Sequence, residues 1–263
     1  MRDALADTVR APAGGDPADD RGRQGVLLAA AVVAIVVAEA VVAFVDPVAG
    51  AVVHAVLLLA LLLRWVTAGD LALLVLALVP LGRVTSLALT PDDAGPGAYA
   101  LTGLPLLVAV VWTARGLAAD RKLRWGWPAW HAIAVALCGI PLGLLVDAVL
   151  HLPGVAGGTV AVTAVVVTAV VVFVFAGVLE ELLFRGLVQR VLTGPFGVWG
   201  VVLADLLFAA AYLPTRNAGL VAVMAVAGLG AGFYVRRTGG LAAVAIAHGL
   251  LAAGALAVWP VLG

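Results

Sequence analysis

The sequence predicts an all-α fold: a polytopic integral membrane helical bundle of about eight to nine transmembrane helices. Three observations predict it. Of 263 residues, 64% are hydrophobic and only 11% charged, with a mean hydropathy of +1.18. Soluble domains run at about 45–50% apolar and about 25% charged. Apolar runs of the length that crosses a bilayer, about 20 residues, recur along the chain. These runs lack the alternating polar residues of an outer-membrane barrel. In lipid, an uninterrupted apolar run satisfies its backbone best as a helix, even when it is rich in valine.

In order along the chain, the stretch 1–24 is polar and rich in Ala, Asp, Gly and Pro. It reads as a disordered tail, with no apolar core or cleavage pattern of a secretory signal. Nine apolar spans follow, at roughly 25–45, 47–63, 71–89, 98–114, 131–151, 159–184, 198–213, 218–235 and 240–260. The basic loop from Arg115 to Arg124 separates N-terminal helices (25–127) from a C-terminal core (128–263). No soluble domain and no internal repeat is visible.

Lys and Arg set the orientation. With the N-terminus inside, Arg2, Arg10, Arg21, Arg23, Arg64, Arg115, Arg121, Lys122, Arg124, Arg190, Arg236 and Arg237 fall on the cytoplasmic side. The opposite face receives mainly Arg216 with Asp46, Asp92 and Asp93. The expected protein is a multi-pass protein of the plasma membrane, N-terminus in and C-terminus out. Fifteen basic and fifteen acidic residues balance, which argues against a nucleic-acid partner. The single cysteine, Cys138, lies in an apolar run and is expected to be a buried, inert thiol.

Ionisable residues inside spans usually face a bundle interior or a watery cavity. Glu39 and Arg83 are placed to pair across helices. His54, His131 and His151 fall near span ends, where an interfacial histidine costs little. Asp147 and His151 are four apart on one helix face, but two residues do not make a metal site.

The stretch Val178-Leu-Glu-Glu-Leu-Leu-Phe-Arg-Gly-Leu-Val-Gln-Arg190 is more informative. Glu181 and Arg185 are at i,i+4 and can form an intrahelical ion pair, while Glu180 points about 100° away. One carboxylate is neutralised and the other left free to act as a general base. The bland alternative is a solvated pair at a span end. The apolar residues that follow, Leu182, Leu183, Phe184, Leu187 and Val188, favour burial. A second polar island is His248, alone in GGLAAVAIAHGLLAAGAL, with Gly239, Gly240 and Gly249 permitting close helix approach.

Glu180-Glu181-x-x-x-Arg185, Phe208-Ala-Ala-Ala-Tyr212 and His248-Gly-Leu-Leu-Ala252 together resemble the CPBP family of intramembrane proteases. It includes the type II CAAX prenyl endopeptidases and bacteriocin-processing or self-immunity proteins. The family pattern is EExxxR, FxxxH and HxxxN, and the resemblance covers roughly residues 128–260. It implies that Glu180 activates the attacking water, that Glu181 and Arg185 support it, and that His248 stabilises the oxyanion. Two positions depart from the pattern: Tyr212 replaces a histidine and Ala252 an asparagine. A neutral phenol is a poor metal ligand and a poor base near neutral pH. The resemblance implies either a glutamate-based or a metal-dependent hydrolase. A zinc site would keep Glu180 and His248, with or without Glu181, one histidine short of the usual set, so a divalent metal such as zinc stays open but no stoichiometric zinc is expected. Asp205, two turns before Tyr212, is an auxiliary candidate for the missing group.

The implied activity is endopeptidase cleavage of a membrane-associated or lipidated substrate within the bilayer. The competing reading is a pseudoprotease that binds or scaffolds membrane peptides. A transporter lined by Glu39, Arg83 and Asp147 is a third reading, without the inverted repeat or paired broken helices such proteins carry.

Overall fold

A computed structural model describes residues 17–89, 95–117, 130–150 and 162–262. Every regular element among them is helical. The N-terminal helices are α1 (Pro17–Phe44), α2 (Pro47–Ala68), α3 (Leu71–Leu89) and α4 (Gly95–Leu117). Then come α5 (Trp130–Leu150), α6 (Val162–Phe196), the short α7 (Trp199–Ala210), α8 (Ala218–Thr238) and α9 (Leu241–Leu262). Eight helices are long and apolar enough to span a bilayer, and α7 is the shorter ninth. The protein is a polytopic helical membrane bundle. Its outer faces agree: Val26, Val33 and Val37 on α1 and Val162, Val166 and Val170 on α6 are exposed, an arrangement only lipid tolerates over such an area.

Local chemistry sets the helix ends. Asp46 caps α2, its Oδ1 accepting from the Ala49 amide at 2.7 Å, with Pro47 in the first turn. Asn217 caps α8 in the same way, and Gly239, at φ 72°, closes it after Arg236 and Arg237. Helix α5 breaks at Cys138, between Trp130–Leu137 and Gly139–Leu150. Pro141 has no amide for Leu137 and its ring crowds the preceding turn.

Four expectations change. Helix α1 starts at Pro17, inside the stretch expected to be disordered up to residue 24, because proline suits a first helical turn. Helix α6 continues to Phe196 instead of ending at 184, since no proline follows Glu181 until Pro195. Cys138 is exposed rather than buried, because the α5 break turns it outward. His54 is fully buried rather than interfacial: α2 packs it against α1, with its Nε2 3.7 Å from Glu39 Oε1. His151 and the basic loop beyond Leu117 lie outside the described residues.

Helix α6 is the spine. At 35 residues it is roughly 50 Å long, well beyond the hydrocarbon thickness. One apolar core runs from Leu28, Val32 and Ile35 of α1 and Leu76 of α3 to Leu179, Leu183 and Leu187 of α6, then to Phe208, Met224 and Leu251. Helix α9 approaches α6 almost backbone to backbone, because a Cβ on Gly177 would overlap Gly249 Cα. That approach brings His248 to the Glu180–Glu181 turn.

Candidate active site

Glu180 and Glu181 sit mid-way along α6, not at a span end. Two π-helical stretches, Phe173–Val178 and Leu182–Val188, bracket the α-helical turn Leu179–Glu181. A π-turn widens the helix and re-aims its side chains, and such turns gather at functional sites. Here the two carboxylates diverge.

Glu181 faces inward and is 2% exposed. Arg185 Nη1 donates to its Oε1 at 3.1 Å, and Arg185 Nη2 donates to Asp205 Oδ1 at 3.4 Å. The guanidinium carbon stands 3.9 Å from the centre of the Phe208 ring, a favourable placement over the ring's negative face. Gly228 of α8 makes room: a Cβ there would overlap Asp205 Oδ1. His248 Nδ1 lies 3.1 Å from Glu181 Oε1. A carboxylate only accepts, so Nδ1 holds the proton and donates.

Glu180 faces the other way. The Tyr212 hydroxyl donates to its Oε2 at 2.8 Å and lies 3.4 Å from His248 Nε2. One phenolic proton has two acceptors in reach, and the carboxylate takes it at the shorter distance. Two hydrogen-bonded groups result, Glu180–Tyr212 and His248–Glu181–Arg185–Asp205, meeting where the phenol oxygen lies against His248 Nε2, with Phe208 edge-on to Tyr212 and to His248 at 5.4 and 5.6 Å.

The two carboxylates open onto different cavities. Glu180 and Tyr212 line a polar one of about 300 Å³ together with Glu39, Arg83, Tyr99 and Thr102. Glu181 and His248 line an apolar one of about 370 Å³, walled by Leu142, Met224, Val244 and Leu251. The Glu180 cavity carries more polar groups but is also walled by Val79, Leu106, Phe175 and Leu183, while the other is almost wholly apolar around Glu181, His248 and Tyr234.

The geometry places the sequence candidates plainly. Glu180, Glu181, Arg185, Tyr212 and His248 meet. Asp205 joins them through Arg185 and not at Glu180. Ala252 stands apart, in an apolar patch with Val172 and Ala176, so no donor replaces the expected asparagine there. Glu39 and Arg83 pair as expected, Nε to Oε1 at 3.1 Å, but they also line the Glu180 cavity, which the sequence did not show. Asp147 lines neither cavity. The residues do not fit a zinc ion. Glu180 and His248 offer one ligand atom each toward the gap, the phenol between them is a protonated donor, and no metal-holding group of three His, Cys, Asp or Glu occurs among the described residues.

Fold and site together define a class: a multi-pass helical membrane protein with a glutamate, histidine and tyrosine cluster buried against its central helix. Residues 161–254 match the family of Rce1-like type II CAAX prenyl endopeptidases. That segment holds all seven motif positions, Phe208 included, and over it the chain is similar to CAAX-protease-like proteins. The match is narrower than the resemblance read from the sequence, and α1 to α5 lie outside it. No curated protein and no solved structure matches the chain.

Proposed function

We propose that the protein is an intramembrane endopeptidase that hydrolyses a peptide bond of a membrane-associated or lipidated substrate, with Glu180 as general base. The observation that carries this reading is the polar cavity, where Glu180 and Tyr212 stand together inside an otherwise apolar bundle. Among the described residues only Tyr212 donates to Glu180, so the carboxylate keeps capacity for a water.

In the proposed step Glu180 takes a proton from water and the hydroxide oxygen bonds to the peptide carbonyl carbon. The carbonyl oxygen becomes an oxyanion. Once Glu180 is protonated it no longer holds the phenolic proton, and Tyr212 turns its O–H to the oxyanion, a contribution of about 10²–10³ in rate for one such donor. The carbon–nitrogen bond then breaks, and Glu180 returns its proton to the amine. His248, anchored on Glu181, packs beside the phenol oxygen. The apolar cavity beside His248 suits the hydrocarbon part of a substrate.

A second reading rests on one observation. The phenol fills the space between Glu180 and His248, where a water would sit, and Ala252 supplies no donor. On that reading the chain binds membrane peptides without cutting them. Purified protein in liposomes with membrane-anchored peptides separates the two. Cleavage that Glu180→Gln abolishes supports hydrolysis. Peptide binding without cleavage supports the binding module.

The Lys and Arg distribution supports an inside N-terminus. The side reached by the C-terminus depends on whether α7 crosses. Reporter fusions at Gly263 read this directly.

A further inference from the structure

We infer that the Glu39–Arg83 pair of the N-terminal helices is a positioning device for Tyr212. Its catalytic consequence rests on the hydrolytic reading above.

Tyr212 does not sit on a helix. It lies between the end of α7 at Ala210 and the 3₁₀ turn Leu213–Thr215, at φ −93° and ψ −6°. The end of α7 sets its local backbone, with the Ala211 amide donating to Leu207 O and the Tyr212 amide to Ala209 O, both at 3.1 Å, but does not fix that end against the rest of the bundle. Two cross-bundle contacts hold it. Arg83 Nη2, from α3, donates to the Ala211 carbonyl at 2.6 Å. Arg216 Nε donates to the Ala43 carbonyl of α1 at 2.7 Å. The segment is thus tied to the N-terminal helices on both sides of Tyr212. Arg216 has a φ of 54°, and among the described residues no other non-glycine has a positive φ. A left-handed arginine is tolerated where its surroundings over-determine it, and the bond to Ala43 does so. Inside the strap, Thr215 Oγ1 donates to the Tyr212 carbonyl at 2.7 Å.

Glu39 aims the guanidinium. It is 1% exposed, accepts from Arg83 Nε at 3.1 Å, and places Oε2 2.9 Å from Nη2. A planar fork held on one edge by a carboxylate presents its Nη2 in a fixed direction, which a lysine does less well. Ala211 is the residue bonded to Tyr212, so a shift of the Arg83 tie moves the phenol relative to Glu180. The same pair lines the cavity that holds both groups. Helices α1 and α3 thereby acquire a role in the site beyond packing.

The test uses full-length protein in detergent labelled with 3-fluorotyrosine. The chain has three tyrosines, so three fluorine resonances are expected, assigned with Tyr99→Phe and Tyr234→Phe. Tyr234 hydrogen-bonds His131 in the other cavity and reports folding. In Arg83→Met the Tyr212 resonance is expected to move while Tyr234 stays, and Arg83→Lys is expected to recover part of the shift. The double variant Glu39→Gln, Arg83→Met removes both charges together and leaves no unpaired carboxylate buried. It should move Tyr212 in the same way. Arg236→Met breaks another arginine-to-carbonyl bond, to Gly197, and should leave Tyr212 unmoved. An unmoved Tyr212 resonance in folded Arg83→Met and in the double variant overturns the inference. In the peptide assay Arg83→Met should lower kcat by about 10- to 100-fold with KM held. A change in KM alone makes Arg83 a substrate contact and also overturns the positioning role. If the parent never cleaves while the resonance moves, the hydrolytic reading fails and the positioning of Tyr212 stands.

Discussion

The hydroxyl of Tyr212 donates to Glu180 Oε2 at 2.8 Å, while its oxygen lies 3.4 Å from His248 Nε2. A tyrosine that replaces a histidine in the motif therefore links the two halves of the site. Glu180 lies on one side of it. Behind it His248, Glu181, Arg185 and Asp205 form a chain of paired groups, of which Glu181 and His248 line the second cavity.

Tyr212→Phe removes this link with little change of volume. If the phenol is the oxyanion donor, cleavage of a membrane peptide falls about 10²–10³-fold, mainly in kcat. If the phenol blocks the water instead, Tyr212→Phe leaves an inactive parent inactive and Tyr212→Ala creates activity. Steady-state cleavage rates in liposomes distinguish the two outcomes.

Restoring the family residues should not be symmetrical. Tyr212→His places an imidazole between Glu180 and His248, in a polar setting, and should be tolerated. Ala252→Asn places an amide against Val172 and Ala176. Unless a partner is found, burying that amide costs about 1–3 kcal/mol. Thermal unfolding in detergent should show a lower Tm for Ala252→Asn than for Tyr212→His.

Arg185 bridges two carboxylates at once, and both it and Glu181 are buried. Arg185→Met leaves Glu181 and Asp205 without their cation, a loss of about 3–5 kcal/mol when one member of a buried pair is removed. Arg185→Lys should recover only part of this, because an ammonium cannot bridge both carboxylates and lie flat over Phe208. The readout is folded yield and Tm, with Arg185→Met, Asp205→Asn expected to be milder than Arg185→Met alone.

Gly177 and Gly228 are predicted to be intolerant of any side chain. A Cβ at Gly177 meets the backbone of Gly249, next to His248, and one at Gly228 meets the Arg185–Asp205 pair. Gly177→Ala and Gly228→Ala should each destabilise by about 1–3 kcal/mol. Gly230→Ala has open space around its Cβ and should be neutral in the same melting experiment.

Much of the fold was legible in the residues alone, because lipid makes hydropathy a strong signal: a backbone with no water to bond must be helical. The nine apolar runs became nine helices. The Glu181–Arg185 contact was also legible, since i,i+4 spacing on a helix dictates proximity. The Glu39–Arg83 pair followed from the cost of lone charges in a span. What could not be read was anything set by packing between distant helices. The π-turns that flank Glu180 and Glu181 leave no local signature. Tyr212 was visible as a departure from a motif, but its position between Glu180 and His248 depends on α9 closing onto α6 through Gly177 and Gly249. The buried state of His54, the outward turn of Cys138 and the Arg83 tie to Ala211 depend on which faces meet. Periodicity describes one helix at a time. Pairing, cavities and the reach of a phenol arise between helices, where residues over a hundred positions apart come into contact.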